Sequence, residues 1–185
     1  KLAWSENWAL LLGTDAYDWQ RDFDGSVAHS GGDTTLALKY RLPVNESLAL
    51  GAQFGAGLPT ARPPIGSGKT DWGFTAIASM DSGGAHQDLN LGAGWPGAVT
   101  DGQGRWQGAW AIAASVPLPK GFGVTGELSG LTQRGIAAQT QGLAAVSYSV
   151  SRQLVLDAAV AVGLSSAAPD WQLMAGMTVQ LGRWF

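Results

Sequence analysis

Residues 171–185 read WQLMAGMTVQLGRWF. Every second side chain from Trp171 to Leu181 is apolar, whereas glutamine, glycine and threonine fill most of the positions between them. Such a period of two residues indicates a β-strand with one apolar and one polar face. An amphipathic strand that ends in an aromatic carboxyl terminus, here Phe185, is typical of the closing strand of a bacterial outer-membrane β-barrel.

The composition fits a protein whose surface faces lipid. Charged residues make up 14% of the 185 residues, against about a quarter in ordinary soluble domains. Hydrophobic residues reach 45%, yet no run approaches the roughly 18 consecutive apolar residues of a membrane-spanning helix. We therefore expect an all-β protein, with residues 1–185 forming a single outer-membrane barrel domain.

The net charge limits the classes of partner that the chain can bind, and the cysteine content indicates its compartment. The net charge is -3 and the 11 Lys and Arg residues are scattered, which argues against a nucleic-acid partner. The absence of cysteine fits an oxidising compartment. Because Lys1 does not open a segment that resembles an export signal, we infer export from the body of the chain.

Alternation with a period of two recurs along the chain and predicts ten antiparallel strands in an up-and-down barrel. Their expected bounds are residues 7–19, 33–42, 48–58, 71–80, 86–95, 105–116, 122–131, 142–150, 154–164 and the closing strand from residue 171. The connections support this division, because outer-membrane barrels alternate short periplasmic turns with longer outer loops. The expected turns are 43–47, 81–85, 117–121 and 151–153, and the expected loops are 20–32, 59–69, 96–104, 132–141 and the tighter 165–170.

The aromatic residues fall mainly at predicted strand ends, where the two membrane interfaces would lie. The outer set is Trp19, Trp72, Trp95, Trp106 and Trp171, and the periplasmic set is Trp8, Tyr40, Phe122, Tyr148 and Phe185. Phe54 and Trp110 lie deeper on the apolar face. A water-soluble barrel would need many exposed Lys and Glu residues on its polar faces, but these faces are mostly Gly, Ala, Ser and Thr.

Three short segments resemble one known family. They are GDTTLALKYR at residues 32–41, GSGKTD at 66–71, and APDW at 168–171 leading to Phe185. They are similar to the outer-membrane proteins labelled "MetA-pathway of phenol degradation", and the resemblance extends over most of the chain from Gly31 onward. It implies an exported barrel, linked in some members to the breakdown of aromatic compounds, and it assigns no catalytic residue.

The candidate site is the predicted lumen. The parity of the strands places five charged side chains inward: Lys39, Arg41, Asp88, Glu127 and Asp157. Charges inside a barrel are costly unless they are paired or hydrated, so they indicate either an ion-pair network in the wall or a selectivity ring. Room for water, a narrow ligand or a plug formed by residues 1–6 or 59–69 is expected, because ten strands enclose more space than the side chains of an eight-stranded barrel fill.

Other motifs predict no site. Residues 66–70 lack the glycine spacing and the following helix of a phosphate-binding loop, so they are interpreted as a flexible outer loop. His29 and His86 fall on opposite membrane sides and cannot share a metal ion. His29 with Ser26, Ser30 and Asp33 could form a hydrolase constellation in the first outer loop, although no nucleophile motif supports it.

The functional hypothesis is a passive channel or binding conduit of the bacterial outer membrane. The expected solute is a small, hydrophobic or aromatic molecule, as the family resemblance implies. The alternatives are a partner-docking barrel of an envelope complex with a closed lumen, and an outer-leaflet lipid-modifying enzyme. The expected partners are outer-membrane lipid, the barrel assembly machinery through the C-terminal strand, and an envelope protein. No cofactor, metal or enzymatic activity is expected.

Overall fold

The computed structural model describes residues 1–14, 18–21, 25–63 and 65–182, with only the backbone described for 18–21. These residues contain one short 3-10 helix, Pro119–Gly121, and the strands β1 Leu2–Ala3, β2 Trp8–Thr14, β3 Asp18–Arg21, β4 Val27–Ser30, β5 Thr34–Pro43, β6 Leu48–Leu58, β7 Asp71–Ser82, β8 Ala85–Trp95, β9 Gln107–Pro117, β10 Phe122–Gln133, β11 Ile136–Ser149, β12 Leu154–Gly163 and β13 Trp171–Val179. In the described part of the chain, no helix is both long and apolar enough to cross a membrane.

One antiparallel sheet of eleven strands dominates the fold. Its order is β1-β2-β5-β6-β7-β8-β9-β10-β11-β12-β13, and β3 and β4 form a separate two-stranded hairpin. From β5 onward each strand pairs with the next one in the chain, so the all-β class and the up-and-down order predicted from the sequence are confirmed. Among the described residues, no pairing joins β13 to β1 or β2.

The pairing register gives the sheet two chemically different faces. Phe54 is the cross-strand partner of Phe74, and the adjacent Gln53 is the partner of Thr75. Because directly paired residues point to the same side, the aromatic pair lies on one side, here called the apolar face, and Gln53 and Thr75 lie on the other, the polar face. Phe54 and Phe74 are 54% and 47% exposed.

The connections lie at two ends of the sheet. The end called the turn end carries residues 44–47, 83–84, 118–121 and 150–153, all short as predicted. Gly83 and Gly84 have φ angles of 62° and 80°, which explains why two glycines form this tight connection. The opposite end, the loop end, carries the described residues of 15–33 and 59–70, together with residues 96–106, 134–135 and 164–170.

Two predicted segments were wrong. The first strand, expected over 7–19, ends at Thr14 in β2, and Asp18–Arg21 pairs instead with Val27–Ser30 in the separate hairpin. The outer loop expected over 132–141 is a hairpin in which residues 134–135 alone connect β10 to β11. Gly135 has a φ of 81°, a conformation that favours glycine, and Gln133 pairs with Ile136 across the turn.

The strand number also differs from the expected ten. Leu2 and Ala3 form an additional two-residue strand that pairs with Leu10 and Ala9 at the edge of β2. Because backbone groups at a sheet edge are free to pair, a short neighbouring segment can occupy them. Leu2 and Ala3 therefore extend the sheet at its edge. This differs from the expectation that residues 1–6 could form a plug in the lumen.

Candidate functional site

The predicted lumen residues share the polar face of the sheet. They come from four strands and comprise Lys39, Arg41, Asp88, Glu127 and Asp157. Asp88 and Glu127 are both cross-strand partners of Ala113, so they lie in one row on either side of β9. The alternation of β-strand side chains is what brings these charges to one side of the sheet.

Among the described residues, four of these five charged side chains have no ion-pair partner. Within the described part of the chain, the ion pairs number two, and both involve His86. Lys39, Arg41, Glu127 and Asp157 take part in neither. Of the two interpretations drawn from the sequence, an ion-pair network in the wall has no support among the described ion pairs beyond the contact of Asp88 with His86.

An acidic cluster surrounds His86 at the turn end. Its Nδ1 lies 2.7 Å from Asp81 Oδ1, and its Nε2 lies 3.3 Å from Asp88 Oδ2. The Ser79 hydroxyl donates a hydrogen bond of 2.5 Å to Asp88 Oδ1. A neutral imidazole has one N–H and a protonated one has two. His86 can therefore donate hydrogen bonds to both carboxylates only in its protonated form. Two carboxylates thus share one histidine and one hydroxyl.

The polar face next to this cluster contains a cavity of about 260 Å³. It is lined by Lys39 and Arg41 from β5 and by Asp81, His86 and Asp88 from β7 and β8. The cavity therefore has a cationic side and an acidic side. The sequence predicted three of these residues, whereas Asp81 and His86 were not among the predicted site residues.

Asp81 and His86 could have been found through the turn that joins their strands. They flank the segment Ser82-Gly83-Gly84-Ala85, and a Gly-Gly pair between two alternating strands is a hairpin signal. A two-residue turn at Gly83 and Gly84 makes Asp81 and His86 direct cross-strand partners. Counting residues outward from Gly83 and Gly84 therefore predicts that Asp81 and His86 are cross-strand partners.

Two further cavities continue the polar face toward the loop end. One of about 360 Å³ is lined by residues that include Thr75, Asn90, Ser129, Gln139 and Gln141. A second, also of about 360 Å³, is lined by residues that include Thr35, Gln53, Asp71 and Gln107. Uncharged polar side chains therefore line part of both cavities, beside Asp71 and a larger number of glycine, alanine and other apolar residues.

Two residues of the hydrolase hypothesis, Ser30 and Asp33, help to hold the loop end together. Asp33 Oδ1 accepts a hydrogen bond of 2.8 Å from the Ala61 backbone N–H, and Ser30 Oγ accepts one of 3.0 Å from that of Arg62. The Thr34 and Thr60 hydroxyls lie 2.9 Å apart. These bonds between residues 30–34 and 60–62, called the interloop contact, give Ser30 and Asp33 a structural role.

The segment interpreted as a flexible loop is partly packed. Gly66 and Ala61 are buried, and a Cβ at Gly66 would lie 2.8 Å from the Ala61 Cβ. The packing requires glycine at this position, which explains the residue without a phosphate-binding role. His29 lies in β4 and His86 lies beside the turn end, so the structure does not bring the two histidines together.

Most of the predicted interface aromatics are exposed or stacked at strand ends. Trp72, Trp95, Trp106 and Trp171 are between 46% and 65% exposed. Tyr40 packs on Trp8 and Tyr148 packs on Phe122, each with ring centroids 4.7 Å apart. Phe185 and the side chain of Trp19 lie outside the described residues.

No protein-family model matches this chain, and no curated protein is similar to it. The described side chains contain no group of three or more His, Cys, Asp or Glu residues arranged to hold a metal ion. The described residues form an all-β sheet with one apolar face and one polar face, and the polar face has cavities and charges that form no ion pair with another described residue.

Proposed function

We propose that this chain forms a β-barrel of the bacterial outer membrane and acts as a passive conduit for small molecules. The observation that carries the proposal is the distribution of apolar side chains. In the described residues the buried apolar side chains are all alanines: Ala9, Ala37, Ala49, Ala56, Ala61 and Ala161. Large side chains such as Phe54, Leu91 and Ile112 are 52–55% exposed.

That distribution is the reverse of what a water-soluble protein needs. Soluble folds bury Leu, Ile, Val and Phe in a close-packed core, and burial of such side chains is the main favourable term in folding. A face of exposed Leu, Val, Phe and Trp is stable when hydrocarbon surrounds it, as on the outside of a membrane barrel. The polar face then lines the interior.

Closure of the sheet is the second part of the proposal. Unpaired strand edges are costly in lipid because no water is present to bond the free N–H and C=O groups. β13 pairs with β12 alone among the described strands, and residues 11–14 of β2 lie beyond the two-residue strand β1. β2 and β13 run in opposite directions, so their edges can pair as antiparallel neighbours if Leu2 and Ala3 move aside.

The solute class follows from the lining. The family resemblance implies a hydrophobic or aromatic solute, but Asn90, Gln139, Gln141 and Gln53 line the cavities of the polar face. Groups of this kind favour solutes that form hydrogen bonds. We therefore propose a conduit for small molecules with at least one polar group, and the proposal assigns no catalytic residue.

Single-channel recording in planar lipid bilayers tests the function. The purified, refolded chain should give steady unitary currents in potassium chloride, and the currents should be absent when protein is omitted. Silence from protein that is folded by heat-dependent mobility in detergent gels would contradict a conduit. Silence together with a stably co-purifying envelope protein would instead indicate the partner-docking barrel.

A further inference from the structure

The turn-end cavity has two walls of opposite charge that do not pair with each other. Lys39 and Arg41 stand on β5, whereas Asp81 on β7 and Asp88 on β8 stand opposite, and Glu46 of the 44–47 turn also lines the space. From β5 to β8 there are three interstrand spacings of ~4.8 Å, or about 14 Å along the sheet. No described ion pair spans this distance.

Both walls keep unused capacity for a charged ligand. Lys39 and Arg41 have no ion-pair partner in the described structure, and the planar guanidinium of Arg41 can hold a carboxylate with two parallel hydrogen bonds. On the other wall, Asp81 and Asp88 share the single imidazole of His86. Two carboxylates offer more acceptor positions than one histidine and the Ser79 hydroxyl can fill.

The floor between the walls is low and largely apolar. Arg41 is the cross-strand partner of Gly51, which in turn is the partner of Ile77. A Cβ at Gly51 would lie 3.4 Å from the Ile77 Cβ and 3.1 Å from the Tyr40 carbonyl oxygen. The lack of a side chain at Gly51 therefore keeps the floor low between the walls, with the Ile77 side chain beside it.

We infer that this cavity binds a small zwitterion whose carboxylate and ammonium groups are separated by a few carbon atoms. The carboxylate lies at Lys39 and Arg41, and the ammonium group lies at Asp81 and Asp88. A simple anion would face the carboxylates, and a simple cation would face Lys39 and Arg41, so only a molecule with both charges complements both walls. The inference deepens the proposed function and rests on it, because it names the solute class of the same polar face.

Three probes of nearly equal size test the inference on the purified full chain in detergent. Isothermal titration calorimetry compares 5-aminopentanoate, which is zwitterionic, with pentanoate and pentylamine, which each carry one of its charges. We expect 5-aminopentanoate to bind at least about tenfold more tightly than either. Equal affinities for the three probes, or no detectable binding of 5-aminopentanoate, would overturn the inference without any variant being needed.

Variants then assign the binding to the two walls. Arg41→Gln and Asp88→Asn should each weaken 5-aminopentanoate binding about tenfold, since each removes one charged contact. The matched controls are Arg152→Gln, in the 150–153 turn, and Asp101→Asn, in the 96–106 loop, because they make the same charge changes outside the cavity. An equal loss of affinity in the controls would assign the effect to net charge and contradict the site.

The calorimetry tests the zwitterion site and the bilayer recordings test the conduit, so either claim can be contradicted without the other. Steady currents without selective binding of 5-aminopentanoate would leave the conduit standing and remove the zwitterion site. Selective binding by a chain that is silent in bilayers would establish the site and contradict passive conduction.

Discussion

At the scale of single residues, glycine determines where the large rings of the apolar face can lie. Gly130 on β10 is the cross-strand partner of Trp110 on β9. A Cβ at Gly130 would lie 2.6 Å from the Trp110 Nε1 and 2.8 Å from its Cε2. The indole ring therefore covers the glycine directly, an arrangement that shields strand backbone in other sheets.

Gly130→Ala should destabilise the folded protein by about 1–3 kcal/mol, because the rigid indole of Trp110 must leave its position. Gly126→Ala is the matched control on the same strand and the same face, since a Cβ there meets nothing within 4 Å. Urea unfolding in lipid vesicles, followed by tryptophan fluorescence, measures both variants. Equal stabilities for the two variants would show that the ring does not depend on the glycine.

The alternation of side chains between the two faces of a strand accounts for what the sequence could predict about the site. Lys39, Arg41 and Asp88 were placed on one side because β-strand side chains alternate, and the register puts them there. The contact of His86 with Asp81 depends on the length of the turn at Gly83 and Gly84, whereas His86 and Asp88 lie two residues apart on one strand. Parity alone carries no information about which residues of neighbouring strands meet.

At the scale of elements, the strength of the alternating pattern separates strands whose bounds the sequence predicts well from β11, whose first half it misses. β6, Leu48–Leu58, has Leu, Ala or Phe at every second position against mainly Gly and Gln, and its predicted bounds match the structure. The first half of β11, Ile136–Ser149, reads IAAQTQG, in which small and polar residues hide the alternation. Because a period of two is visible only when the two faces differ in chemistry, the sequence predicts a loop over residues 136–141.

The interloop contact makes a prediction about local opening at the loop end. Asp33→Ala removes the acceptor of the Ala61 N–H and should raise the rate of tryptic cleavage after Lys69 about tenfold. Loss of a hydrogen bond to a charged group costs about 1.5–3 kcal/mol, and cleavage follows the population of the open loop. Mass spectrometry of the protein digested in vesicles gives the rate.

Asp101→Ala is the control for this experiment, because Asp101 lies in another loop and its side chain makes no hydrogen bond or ion pair in the described structure. Its cleavage rate after Lys69 should equal that of the wild-type chain. If Asp33→Ala also left the rate unchanged, the contact between residues 30–34 and 60–62 would not restrain the loop.

At the scale of the whole molecule, the proposal requires β2 and β13 to meet. The chain contains no cysteine, so engineered pairs report closure without background. Leu12→Cys, combined in turn with Trp171→Cys, Leu173→Cys or Ala175→Cys, should give one intramolecular disulfide, since paired strands bring Cα atoms within disulfide range. Mobility of the monomer in non-reducing gels detects it.

Two further cysteine pairs serve as the positive and the negative control for the closure experiment. Val160→Cys with Leu173→Cys joins established cross-strand partners of β12 and β13 and should form a disulfide. Leu12→Cys with Leu91→Cys joins strands that β5, β6 and β7 separate, and it should not. If the cysteine pairs of β2 and β13 form disulfides only between molecules and give covalent dimers, the two strands pair between two copies of the chain.

The most direct measurement concerns which face of the sheet meets hydrocarbon. Single cysteines at Leu91 and Ile112 on the apolar face, and at Asn90 and Ala111 on the polar face, can carry nitroxide labels in bilayers. Electron paramagnetic resonance power saturation should show high accessibility to oxygen, which partitions into lipid, at Leu91 and Ile112. Asn90 and Ala111 should be more accessible to a water-soluble nickel chelate. Oxygen accessibility that is highest at Asn90 and Ala111, or equal at all four positions, would contradict a lipid-facing apolar surface.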